Sequence, residues 1–134
     1  RALIQTYAPE HPVMQALAAG DRDAFIAAEM AGREDSRLPP FGRLCAIVLS
    51  SENPVALEKV ARELAAAIPN GEGVEVYGPA DAPLALVRGR RRKRLLVRAD
   101  RNVDIQSYVS TWLARVKAPA SVRVRVDVDP YSFL

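Results

Sequence analysis

The sequence holds a single cysteine, Cys45, and a single histidine, His11. A lone cysteine forms no internal disulfide, which predicts a reducing, cytoplasmic setting. The two residues together cannot furnish a zinc or iron–sulfur ligand set, and no cofactor is expected in this chain. Long apolar runs are missing as well. The longest, Leu44 to Leu49, falls far short of the ~20 residues that cross a bilayer, so no membrane partner is expected. There is no Gly-x-x-x-x-Gly-Lys-Ser/Thr stretch to cradle nucleotide phosphates, and any Ser/His/Asp triad would have to draw on His11, which sits before Pro12 at a predicted helix start. The chain opens on Arg1 without Met and runs directly into Ala2-Leu3-Ile4, too short for a secretory h-region; it reads as a piece of a longer protein.

What the chain does have is positive charge, and in one place. Residues 88–98 read Arg-Gly-Arg-Arg-Arg-Lys-Arg-Leu-Leu-Val-Arg, seven basic residues with no acidic one, whereas the other residues carry twelve basic against sixteen acidic. The net charge of +3 therefore belongs to one segment. Localised charge of one sign steers partners of the other.

Hydrophobic periodicity and turn residues predict the elements. Ala2, Leu3, Ile4, Thr6 and Tyr7 suggest a short strand without a partner. Pro12 opens a helix closed by Gly20, and Asp21 caps a second through Phe25, Ile26 and Met30 that stops before Pro39-Pro40. Arg43–Ser50, apolar on both alternating sets, reads as a central strand with Cys45 buried in it. Asn53-Pro54 starts a helix whose inward face is Leu57, Val60, Ala61, Leu64 and Ile68. Val74–Tyr77 reads as a short strand, Gly78–Arg90 as a loop with a strand-like piece at Leu84–Val87, and Arg92–Arg98 as the next strand. Asp100 or Asn102 is expected to cap a helix burying Ile105, Val109, Trp112, Leu113 and Val116. Val122 to Val128 alternates valine with charge at a strict period of two. The fold expected is α+β: a ferredoxin-like βαββαβ domain preceded by a short strand and a two-helix segment.

Catalysis finds little footing. Asp127 and Asp129 share a strand face with Arg123 and Arg125, which predicts cross-strand ion pairing rather than acid–base work. A small ferredoxin-like acyl-phosphate hydrolase would need an asparagine to position water, yet Asn53, Asn70 and Asn102 all read as caps or turns. RNA-binding domains of the same topology stack bases on aromatics of the third strand, and here that strand has none. What remains is anion recognition by guanidinium groups, with arginine outnumbering lysine six to one in the basic run. The candidate contacts are Arg88, Arg90, Arg91, Arg92, Lys93, Arg94 and Arg98. The alternatives are a module for an acidic peptide, and an edge strand that uses charge only against aggregation. Tyr131 and Phe133 in the tail are expected to pack back onto a surface.

Gln5-Thr6-Tyr7-Ala8-Pro9-Glu10-His11-Pro12, Pro39-Pro40-Phe41-Gly42-Arg43, Gly78-Pro79-Ala80, Arg88-Gly89-Arg90 and Val126-Asp127-Val128-Asp129-Pro130-Tyr131-Ser132-Phe133-Leu134, in that order along the whole chain, resemble the bacterial PriA family (primosomal protein N′). The resemblance implies that residues 1–8 end a helicase lobe, residues 9–41 form a helical connector, and residues 42–134 form a C-terminal, ribosomal S10-like domain. It implies a parent that is an ATP- and magnesium-dependent 3′→5′ DNA helicase with zinc-binding cysteines upstream. That parent would act on forked or single-stranded DNA at the nucleoid with single-stranded DNA-binding protein and other primosome proteins. The chain departs from the family at Arg91, Arg92 and Lys93, where an aromatic, an arginine and an aromatic are common, and at Leu38, often aromatic; the family's expectation carries to Arg88, Arg90 and Arg92.

Overall fold

The computed structural model describes residues 2–130. Two helices, α1 (Pro12–Ala19) and α2 (Arg22–Asp35), precede β1 (Gly42–Ser51), α3 (Pro54–Ala66), β2 (Val74–Val87), β3 (Arg90–Asp100), α4 (Ile105–Leu113) and β4 (Arg123–Val128). The strands form one antiparallel sheet in the order β2-β3-β1-β4. From Gly42 onward this is the expected βαββαβ arrangement, with the first and third strands central.

Strand alternation sorts the sheet into two faces. Cys45, Ile47 and Leu49 of β1 and Leu95, Val97 and Ala99 of β3 form one buried cluster with Leu57, Val60, Ala61 and Leu64 of α3 and Ile105, Val109 and Trp112 of α4. Asn53 caps α3 by accepting from the Val55 and Ala56 amides, with Pro54 at the first helical position. Ile68, beyond the helix end, is exposed. The Trp112 indole Nε1 donates to the Leu64 carbonyl at 2.9 Å, tying α4 to α3 through the core.

Three local expectations change. The stretch 78–83 is strand, not loop, and joins the strand-like piece expected at Leu84–Val87: β2 continues to Val87, with register irregularities between Tyr77 and Ala80 and between Asp81 and Leu86. It is an edge strand, where Pro79 and Pro83 leave no central ladder bond unmade. A two-residue turn then joins it to β3, Arg88 and Gly89 both having positive φ (49° and 76°), as tight hairpins require. The cap of α4 is Asp104, whose carboxylate accepts from the Ser107 amide, because Asp100 still belongs to β3. Residues 2–8 form no strand; Leu3, Ile4 and Tyr7 lie exposed, since a strand without a partner has no ladder to join. The tail residues Tyr131 to Leu134 lie outside the described residues.

Cys45 is fully buried in β1. Burial first, and the Asp127 and Asp129 carboxylates next, push its thiol up to about 11. The thiolate is the reactive form, so iodoacetamide at pH 8 should leave Cys45 unmodified in the folded chain and label it only as denaturant unfolds the domain. Rapid labelling without denaturant would contradict this burial.

Candidate anion-binding face of the sheet

The face opposite the helices carries Ala46, Val48 and Ser50 on β1 and Arg92, Arg94, Leu96 and Arg98 on β3, because these residues alternate with the core positions. On β4 the same alternation places Arg123, Arg125 and Asp127 there: Ser50 stands between Arg92 and Arg123, and Val48 between Arg94 and Arg125. The result is two adjacent rows, Arg–Ser–Arg and Arg–Val–Arg, on three strands. With strands ~4.8 Å apart and alternate residues ~6.8 Å apart, the four arginine positions outline a rectangle of about 7 by 10 Å. Arg123 and Arg125 are exposed, and neither joins an ion pair with a described residue.

The segment that follows α2 covers the other end of this face. Arg98 Nη1 donates to the Ser36 carbonyl at 3.0 Å, and Arg37 pairs with Asp100 at 3.2 Å. Gly42 sits so close to the Arg37 carbonyl oxygen that a Cβ would approach it to 2.2 Å. Arg98 also bonds Glu75 through Nη2 and lies 5.5 Å from the centroid of the Tyr77 ring, whose hydroxyl donates to Glu75 at 2.5 Å. The Tyr77 hydroxyl first, and Arg98 next, hold the Glu75 carboxyl below its ordinary range.

The seven residues expected from the basic run are therefore not one surface. Arg92 and Arg94 lie on the basic rows; Arg92 also reaches the Leu84 carbonyl at 3.5 Å. Arg98 is fastened to the segment that follows α2. Arg90 is mostly enclosed, donating to the Ser50 carbonyl at 3.0 Å and to Glu52 at 3.2 Å. Lys93 lies on the helix side, 2.9 Å from Glu58 and 3.8 Å from Asp81, and it holds the Glu58 carboxyl below its ordinary range. Arg91 shares that side and is exposed, while Arg88 is exposed at the hairpin tip. A cavity of about 420 Å³ beside the hairpin is lined by Arg91, Arg92 and Lys93, by the acidic Glu58 and Asp81 that hold Lys93, and by the apolar Pro54, Leu57 and Leu86.

Sequence reasoning missed Arg123 and Arg125 as members of the site and Tyr77 as the aromatic on the sheet. The Val-Arg-Val-Arg alternation held the first signal, and only the strand order brings it beside Arg92 and Arg94. The expected ion pairing is met in one case: Asp129 holds Arg43 at 3.1 Å, whereas Arg125 and Asp127 face the uncharged Val48 and Ala46. Among the described residues no group of three or more His, Cys, Asp or Glu is placed to hold a metal ion, so these side chains do not fit a zinc site.

Comparison with known proteins matches residues 34–131 to the primosomal protein N C-terminal domain. The chain is 32% identical over 130 residues to the replication restart protein PriA of Rickettsia felis, covering 97% of this chain and 20% of that protein. It is 36% identical over 136 residues to the PriA of Treponema pallidum, covering 98% and 20%, and 35% identical over 136 residues to that of Synechocystis sp., covering 98% and 16%. The chain thus spans about a fifth or less of the length of these relatives.

Proposed function

The chain belongs to the primosomal protein N C-terminal domain family, and on that premise we propose that it is a docking domain which holds the phosphate backbone of single-stranded or forked DNA on the basic half of its open sheet face. The observation that carries this reading is the pair of arginine rows, Arg92 with Arg123 and Arg94 with Arg125. Planar guanidiniums at fixed spacing suit phosphate oxygens. One aromatic, Tyr77, already engaged with Arg98 and Glu75, leaves little for base stacking. Binding is then electrostatic and indifferent to sequence. On this reading the domain docks and does not catalyse. It serves a replication-restart helicase of the cytoplasm and nucleoid whose ATP, magnesium and zinc sites lie in other domains, alongside other primosome proteins. Residues 1–8 complete a neighbouring lobe, residues 9–41 connect it, and residues 42–134 are the docking domain; the exposed Leu3, Ile4 and Tyr7 support that division.

A second reading has its own support. In the cavity beside the hairpin Glu58 and Asp81 are matched by Lys93, which leaves Arg91 and Arg92 beside apolar walls for an acidic peptide ending in an aromatic residue, such as the tail of single-stranded DNA-binding protein. A labelled oligonucleotide and an Asp-rich, Phe-ending peptide separate the two. Between ~50 and ~200 mM salt, DNA affinity should fall at least ten-fold, and the peptide should compete weakly. Peptide binding that persists at salt abolishing DNA binding would make tail recognition primary. No DNA binding even at low salt would sink the first reading.

A further inference from the structure

We propose that two copies of this chain associate edge to edge through β4, in one register. β4 ends the sheet order, so its outer edge carries backbone groups that no described strand pairs. On its inner side β1 opposes Arg123, Arg125 and Asp127 with Ser50, Val48 and Ala46, none charged. Val124 and Val126, on the helix side of the sheet, remain 37% and 41% exposed although they sit beside the core strand. An edge meant only to repel other strands needs charge of one sign. This edge carries both signs, in an order complementary to itself.

An antiparallel pair related by a two-fold axis through the sheet sets like faces side by side, so only registers centred on a residue are allowed. Centred on Arg125, the pairing sets that arginine against its own copy. Centred on Asp127, it sets two carboxylates together. Centred on Val126, it places Arg125 of each copy opposite Asp127 of the other, twice, and Val124 opposite Val128, twice. No like charges then oppose one another. The valines on the helix side run on as one stripe across the junction. Asp129 takes no part: it leaves the strand at a φ of 49° and its carboxylate is held by Arg43 and the Leu44 amide. The product is one eight-stranded sheet in which the Arg92, Arg94 and Arg123 positions of both copies share a surface. The inference does not depend on what that surface binds.

A junction of five residues per strand, 124–128, is small, so the association is weak and reversible. Sedimentation velocity of the 134-residue chain over ~5–500 μM in low salt should show monomer and dimer in exchange, with salt favouring monomer. Arg125→Asp or Asp127→Arg alone turns two attractive pairs repulsive and should weaken the dimer at least about ten-fold. The double variant restores opposite charges in reversed order and should recover to within about three-fold of the parent. Amide exchange within residues 124–128 should slow as concentration rises in the parent and the double variant only. The neutral Arg125→Gln and Asp127→Asn variants, which leave β4 less perturbed, should fall between. A chain that stays monomeric throughout overturns the proposal, as does a dimer indifferent to single charge reversal or a double variant no better than the singles.

Discussion

Alanine at Arg92, Arg94, Arg123 and Arg125 together should lower affinity for single-stranded DNA about a hundred-fold at ~100 mM salt. Each arginine that neutralises a phosphate releases counterion, at a logarithmic salt slope near 0.7 per contact on single strands, so losing four contacts flattens the slope by about 3. The face from which the charges are removed, rather than their number, should set the effect. Arg91→Ala with Lys93→Ala strips two charges from the same stretch of chain, but Lys93 is held by Glu58 on the far side of the sheet, and affinity should change less than about three-fold. Arg90→Ala breaks contacts to Ser50 and Glu52 and is expected to show first as lost stability. Fluorescence anisotropy with a labelled oligonucleotide across a salt series distinguishes these variants. If the helix-side pair weakens binding as much as the four open-face arginines, the face is wrongly assigned.

Trp112→Ala removes the largest buried side chain and should cost about 4 kcal/mol. A domain of this size has roughly 5–15 kcal/mol in all, so the variant is expected to be at or near the edge of unfolding. The loss has separable parts. The ring lies between α3 and α4 and meets Tyr108 at 6.4 Å between centroids, and α4 is only 9 residues long, with few other large side chains to hold it. The indole bond to Leu64 is the smaller part, because that carbonyl also accepts from the Ala67 amide at 3.1 Å. Trp112→Phe keeps most of the packing and should cost about half as much as alanine. Urea unfolding followed by circular dichroism measures both. An alanine variant losing less than about 1.5 kcal/mol would contradict the packing described.

The architecture was legible because each signal was local. The recurrence of Leu57, Val60, Ala61 and Leu64 marks a helix face, Asn53-Pro54 marks its start, and the alternation after Val122 marks a strand. Two errors had a common physical origin. Pro79 and Pro83 punctuate the segment after Tyr77 as they would a loop, but an edge strand tolerates proline, and edge position is a property of the whole sheet. Asp100 resembles a cap as well as Asp104 does, and only the length of β3 decides between them. The site was half legible for the same reason. A run of arginines is visible in sequence; its division between two faces follows from alternation once the strand start is known. The partnership of Arg92 with Arg123 follows from pairing across β1 and has no local signal at all.

The pinning of the segment after α2 at Ser36, Arg37 and Gly42 gives β3 a mechanical role. Its Arg98 and Asp100 end is fastened to the segment leaving α2, and its Arg92 and Arg94 end bears the charge. An extended strand locked between two neighbours neither stretches nor bends easily, so β3 acts as a tie-rod roughly 30 Å long between them. A torque delivered through α2 would be passed to β3 through the Arg98–Ser36 and Arg37–Asp100 contacts. A nucleic acid held on those rows would in turn be felt by whatever α2 is attached to.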